Sequence, residues 1–208
     1  AAAFNTPLGG VMFAIEQLSR RPEDLASGLL IGAIVLAGLL AVSIHGNDTY
    51  FGRIDPTVLS WGLWGPGLMV AILCGLLGGL FSRLLIQSMR GGSDVFSRWR
   101  QRHPVRFAAG CGLAVAVIGT VTQGSTFGGG YGTTRALLQG QEPTHGLYVV
   151  LRMVVTWLSA WSGVPGGIFA PALAIGAGIG HDVAGWTGHA HPALIALGMA
   201  GFLAGATQ

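Results

Sequence analysis

The chain has 208 residues, of which 51% are hydrophobic and only 9% charged, with a net charge of +3 and a mean hydropathy of +0.61. A soluble domain carries about 25% charged residues, so an ordinary water-soluble fold is excluded and the chain is better counted in membrane spans. Lysine is absent, the eleven arginines form no aromatic-interleaved stripe suited to nucleic acid, and the 36 glycines lack the period of collagen.

The predicted elements are helices of unequal length. A short apolar segment, residues 7–18, ends against Glu16, Arg20, Arg21, Glu23 and Asp24. Residues 25–44 form a span without a charge, and residues 61–89 form a longer one interrupted only by Arg83. Residues 105–121 come next, followed by a glycine-rich turn at 124–132 and a short helix at 131–138. Residues 146–161 make a further span with Arg152 inside it, and residues 168–186 and 192–206 complete the series. About twenty residues cross a bilayer upright. The mixture of long and short segments therefore predicts tilted and re-entrant helices in an all-α membrane protein, not a regular bundle.

Arginine placement sets an orientation. The stretch from Arg90 to Arg106 is read as a loop carrying Arg90, Arg98, Arg100, Arg102 and Arg106 against one acid, Asp94. Arg20 and Arg21 follow the first segment, whereas Asp48 and Asp55 accompany Arg53 between the second and third. The positive-inside tendency puts the first two groups inside and the third outside, so residues 25–44 and 61–89 each cross once.

Other residue types exclude further classes. Cys74 and Cys111 lie in apolar runs, too few for a structural metal site and poorly placed for a disulfide framework. The histidines form no ligand pair, and His189 and His191 flank Ala190 in a short connection. Gly176, Gly178 and Gly180 have the wrong spacing for a dinucleotide fingerprint and follow no strand, so they suit close helix packing. The first residues have no basic region of a signal peptide.

The most informative stretch is Ser162-Gly163-Val164-Pro165-Gly166-Gly167-Ile168-Phe169-Ala170-Pro171, a glycine-rich turn leading straight into an apolar helix. A helix start has unpaired N–H groups and the positive end of the dipole, and it can hold an anion without a basic side chain. In hydrocarbon this allows an ion to be bound without being trapped by a neighbouring lysine or arginine. Gly167, Ile168, Phe169 and Ala170 are the candidate anion-binding residues through their backbone. Gly166 and Gly167 would permit close backbone approach, and Pro171 would pre-set the first helical turn. The competing interpretation is a tight turn between packed helices, with Phe169 as a core aromatic.

These residues resemble a family. Gly166-Gly167-Ile168-Phe169-Ala170-Pro171 is similar to the GxFxP element of the CLC chloride channels and proton/chloride antiporters. Residues 1–16, AAAFNTPLGGVMFAIE, are similar to the family's AAxFNxPLxGxxFxxE segment, and a GGGY turn (Gly128 to Tyr131) lies between the two. The resemblance covers the whole chain. It implies the CLC inverted-repeat fold, with residues 1–208 as the central part of one transmembrane domain cut at both ends. The family's GxxGP segment with the gating glutamate and its GSGxP serine element would precede residue 1. Residues 201–208 look like the lead-in to a second APLxG element, after which the helix bearing the ion-binding tyrosine would follow.

The resemblance also implies chloride as the transported ion, no further cofactor or metal, no enzymatic reaction, and a homodimer with one pore per subunit. The first two segments would contribute to the dimer contact, and the expected location is a bacterial inner membrane. In proton-coupled members a glutamate near the inner end of the first segment passes protons. Matching on Pro7-Leu8-Gly9-Gly10 puts that position at Gln17, which cannot titrate, and puts Glu16 on the acid before it. Glu16 would then substitute as proton carrier, or water would carry the proton directly, with Glu16 otherwise a solvated acid paired with Arg20 four residues on. Arg152, costly in mid-span, either lends a positive field to the pore or is satisfied by a salt bridge or carbonyls. The leading expectation is a chloride channel of this family, the alternative a proton-coupled antiporter, and the third a polytopic scaffold or enzyme whose glycines serve packing alone.

Overall fold

The computed structural model describes residues 9–11, 28–46, 51, 61–90, 95–140, 146–189 and 192–207. They fall in two units, residues 1–53 and 54–208. In the first unit residues 9–11 are helical, inside the segment expected at 7–18, while Glu16 and Gln17 lie outside the described residues. Helix α1 (Gly28–His45) is built from leucine, isoleucine, valine, alanine and glycine with no acid in its first turn. It stops at Gly46, whose φ of +82° ends the helical path and whose N–H closes onto Val42 at 2.9 Å.

The second unit holds seven helices among its described residues. A 3-10 turn, Trp61–Leu63, leads into α2 (Trp64–Arg90). There follow α3 (Val95–Arg102), α4 (Pro104–Val121), α5 (Tyr131–Leu138) and α6 (Leu147–Trp161), and then α7 (Phe169–Thr187) and α8 (Pro192–Thr207). No strand occurs among the described residues. The all-α expectation holds, and α5 covers the residues expected of it.

Helices α2, α7 and α8 form the core. Helix α7 is buried without a break from Ala172 to Gly180, as befits a segment with no polar face in its first three turns. Glycine lets the backbones meet. A Cβ on Gly176 would collide with the backbone of Gly198, and one on Gly78 would stand 3.0 Å from Gly205. Helices in hydrocarbon associate largely through such close packing, because lipid tails are as apolar as leucine. Phe81 and Phe202, both fully buried, close the α2–α8 seam with ring centroids 5.8 Å apart.

The outer faces are apolar too. On α2, Leu68, Ile72, Leu76 and Leu80 are all more than half exposed and recur every four residues, opposite fully buried Val70, Cys74 and Phe81. Leu113, Val117 and Val121 form a matching stripe on α4. Among the described residues, the stretches Trp61–Arg90 and Pro104–Val121 are long and apolar enough to cross a membrane. Helices α6 and α8 are shorter, as expected of a fold with incomplete crossings.

One expectation needs correction. Residues 95–102, read as part of an arginine-rich loop, form helix α3. Eight residues with three arginines give little helical signal alone; tertiary contact supplies the rest. Phe96 meets Trp161 at 5.9 Å and Trp99 meets Phe107 at 5.5 Å between ring centroids. The Arg100 guanidinium donates to the carbonyls of Ser88 (2.9 Å) and Trp161 (3.3 Å). Helix α3 is thereby fastened to α2, α4 and α6 at once.

Candidate anion site at the start of α7

Helix α6 ends at Trp161 and the chain turns through Gly163, whose φ of +80° is a conformation open to glycine. Ser162 stabilises the turn from both sides. Its hydroxyl donates to the Ser159 carbonyl at 2.6 Å and accepts from the Val164 N–H at 3.2 Å. After Pro165, Gly166 and Gly167, Ile168 takes the N-cap position of α7. It has no side chain able to cap, and no acid lies in the first turn. The first backbone bond of the helix runs from the Ala172 N–H to the Ile168 carbonyl at 2.9 Å. Pro171 in the third position has no N–H, so the donors at this end come from the residues before it. The start of α7 thus presents a positive dipole end with no acid in its first turn to neutralise it.

Beside it lies a cavity of about 320 Å³ walled by α4, α6 and this loop. Gly166, Gly167, Ile168 and Pro171 reach its wall, together with Gly128 and Arg152, whereas Phe169 and Ala170 lie off it. Of the four sequence-predicted residues, Gly167 is exposed and Ile168 packs partly against the main core. Phe169 is 37% exposed, so it is not a core aromatic. Ala170 faces the glycine turn, where a Cβ on Gly129 would lie 3.2 Å from its own Cβ. The close approach expected at Gly166 and Gly167 is not to other described protein atoms. A Cβ on Gly167 would meet nothing within 4 Å, and one on Gly166 only the Val164 carbonyl oxygen at 4.0 Å. The backbone there stands open to the cavity.

Among the described residues Arg152 is the largest fully buried side chain, 1% exposed. Its guanidinium donates to the carbonyls of Thr126, Phe127 (3.2 Å) and Gly128 (2.6 Å), while its Nε finds no protein partner among the described residues. The mid-span charge is therefore satisfied by carbonyls, one of the two outcomes open from sequence. Those carbonyls belong to a turn in which Gly124, Gly128 and Gly130 all have positive φ. A Cβ on Gly130 would lie 2.5 Å from that of Ala174 and 2.8 Å from an Arg152 Nη. The turn is thus clamped between Arg152 and the first two turns of α7. Sequence reasoning did not single out these carbonyls or Ser162. The cluster of glycines was visible, but its partner on α6, about two dozen positions away, was not.

Comparison with known proteins identifies the family and the fold. The family model described as "Voltage gated chloride channel" matches residues 1–208. The H(+)/Cl(-) exchange transporter ClcA of Vibrio cholerae is 30% identical over 198 residues, covering 87% of this chain and 39% of that protein. The voltage-gated ClC-type chloride channel ClcB of Salmonella typhi is 28% identical over 183 residues, covering 86% of this chain and 42% of that protein. The chain therefore spans about two fifths of the length of these relatives. Among solved structures, that of a CLC-type fluoride/proton antiporter superposes with a TM-score of 0.78 over 98% of this chain and 51% of the other; at 24% identity this is a likeness of fold. With a family match from the first residue to the last and a matching overall fold, the chain belongs to the voltage-gated chloride channel (CLC) family.

Proposed function

We propose that this chain is the central part of a chloride-transporting subunit, and that a chloride ion sits at the start of α7 against the backbone of Gly167, Ile168, Phe169 and Ala170. One observation carries the proposal. An uncapped helix start opens on a cavity whose wall holds Gly166, Gly167, Ile168 and the buried Arg152. Amide N–H groups and the helix dipole attract an anion moderately, while the guanidinium turns both of its Nη atoms to carbonyls, which tempers its hold on the ion. Affinity weak enough for release is what passage across a membrane requires. The apolar stripes of α2 and α4 would face lipid, in a bacterial inner membrane. The subunit would work as a transporter and not as an enzyme, with chloride as its ligand and no metal or other cofactor. It would pair as a homodimer with one pore per subunit.

A second mechanism has its own support. The Vibrio cholerae relative is named as an exchanger and the Salmonella typhi relative as a channel, so proton coupling is the alternative to passive flow. Gln17 at the position matching the family's inner glutamate favours passive flow; in an exchanger Glu16 beside it, or water directly, would carry the proton instead.

Thermal unfolding of the full-length protein in chloride and in sulfate at equal ionic strength tests the ion site. A ligand held only by the native state adds stability, about 2.7 kcal/mol at about 100 times Kd. Chloride-specific stabilisation is expected. Equal melting in both salts would favour a scaffold in which the glycines only pack.

A further inference from the structure

We infer that α3 and the first turn of α4 form a docking surface for the headgroups of anionic phospholipids, with Arg98, Arg102 and Arg106 holding the phosphates. This surface lies apart from the anion cavity. It rests on the membrane placement of α2 and α4 and not on chloride transport.

Helix α3 has three distinct sides. Ser97 and Arg100 face inward: Ser97 is buried, and Arg100 is tied to the carbonyls of Ser88 and Trp161. Val95, Phe96 and Trp99 form a second side and are 70%, 60% and 43% exposed. Arg98, Gln101 and Arg102 form the third, all exposed, with Arg98 and Arg102 one turn apart. Exposed Val105 and Arg106 continue the apolar and basic sides onto the start of α4. An apolar strip beside a basic strip is the pattern of a helix lying in the membrane interface.

The position agrees. Helix α3 lies between the end of α2 and the start of α4, the two described helices of spanning length and composition. The Trp99–Phe107 contact holds it against the start of α4, Phe96–Trp161 against the end of α6, and the Arg100–Ser88 bond against the end of α2, which would put its outer sides at headgroup depth. Continuity with the hydrocarbon-facing stripes of α2 and α4 distinguishes a lipid from an acidic protein partner. Acyl chains would meet Val95, Phe96 and Trp99 while phosphates meet the arginines. Arginine suits this role because its planar fork can donate two hydrogen bonds to one phosphate.

The test uses the full-length protein in phosphatidylcholine bilayers containing phosphatidylglycerol. Electron spin resonance of spin-labelled phosphatidylglycerol and phosphatidylcholine reads the preference for the anionic lipid. The wild-type protein should prefer phosphatidylglycerol, and the preference should fall as salt rises. Each of Arg98→Gln, Arg102→Gln and Arg106→Gln should lower it about fivefold. Arg135→Gln, which alters an exposed arginine bonded to Tyr131 on α5, should leave it unchanged. Soluble inorganic phosphate should not displace the labelled lipid. Unchanged preference in these variants, an equal loss in Arg135→Gln, or displacement by free phosphate would overturn the inference.

Discussion

Arg152 donates to the carbonyl of Gly128 at 2.6 Å, tying the middle of α6 to a glycine turn that leans on the first turns of α7. A charge that would be costly in a membrane is thereby used to fix the neighbourhood of a helix start. The same side chain lines the cavity on which Gly166 and Gly167 open.

Arg152→Met should destabilise the protein strongly. It leaves the buried carbonyl of Thr126 and the part-buried carbonyls of Phe127 and Gly128 without their donor. Unpaired buried groups cost about 1–3 kcal/mol each, and with partial relaxation a loss of about 3 kcal/mol is expected. Arg152→Lys should lose less, since a charged donor remains, though without the fork that spans adjacent carbonyls. Thermal and denaturant unfolding of both variants in detergent checks the order.

Gly176→Ala should cost about 1–3 kcal/mol by overpacking, because its methyl group would run into the backbone of Gly198. Gly75→Ala provides the contrast: a Cβ there meets nothing within 4 Å, so its effect should stay within about 0.5 kcal/mol. Equal destabilisation in the two unfolding curves would be inconsistent with the α7–α8 approach described.

Gly167→Val separates folding from binding. No described protein atom lies within 4 Å of the position its Cβ would take, so the melting temperature without chloride should change little. The new side chain would occupy the cavity wall, and the chloride-dependent gain in stability should fall about tenfold in apparent affinity, a loss of about 1.4 kcal/mol. Phe169→Leu should retain that gain, because the backbone and not the ring would hold the ion.

Trp157→Phe removes the indole N–H that donates to the Ser88 hydroxyl at 2.7 Å while keeping a ring near Trp161, now stacked at 4.9 Å. The expected loss is about 1 kcal/mol in unfolding measurements. It isolates the seam between α2 and α6 from the glycine contacts of the core.

Much of this was legible in the sequence where the signal is local. The end of the glycine-rich turn marked the start of α5, and the GGIFAP stretch located the start of α7 to within a residue. Arg152 in mid-span announced that it needed partners, yet its carbonyls lie 24 to 26 residues away and only the fold brings them near. The cavity was illegible for the same reason, since its walls come from α4, α6 and the loop together. Helix α3 was missed because aromatic docking and Arg100, not periodicity, make it helical. Glu16 and Gln17 lie outside the described residues, so their part in proton movement stays with the sequence resemblance.

The most direct measurement is chloride efflux from chloride-loaded liposomes carrying the full-length protein, with external pH recorded at the same time. Chloride should leave the liposomes, and Gly167→Val should slow it. Proton uptake in fixed ratio to chloride would identify an exchanger working without a glutamate at Gln17, and efflux without it a channel. No chloride efflux from correctly folded protein would contradict transport through a site at the start of α7.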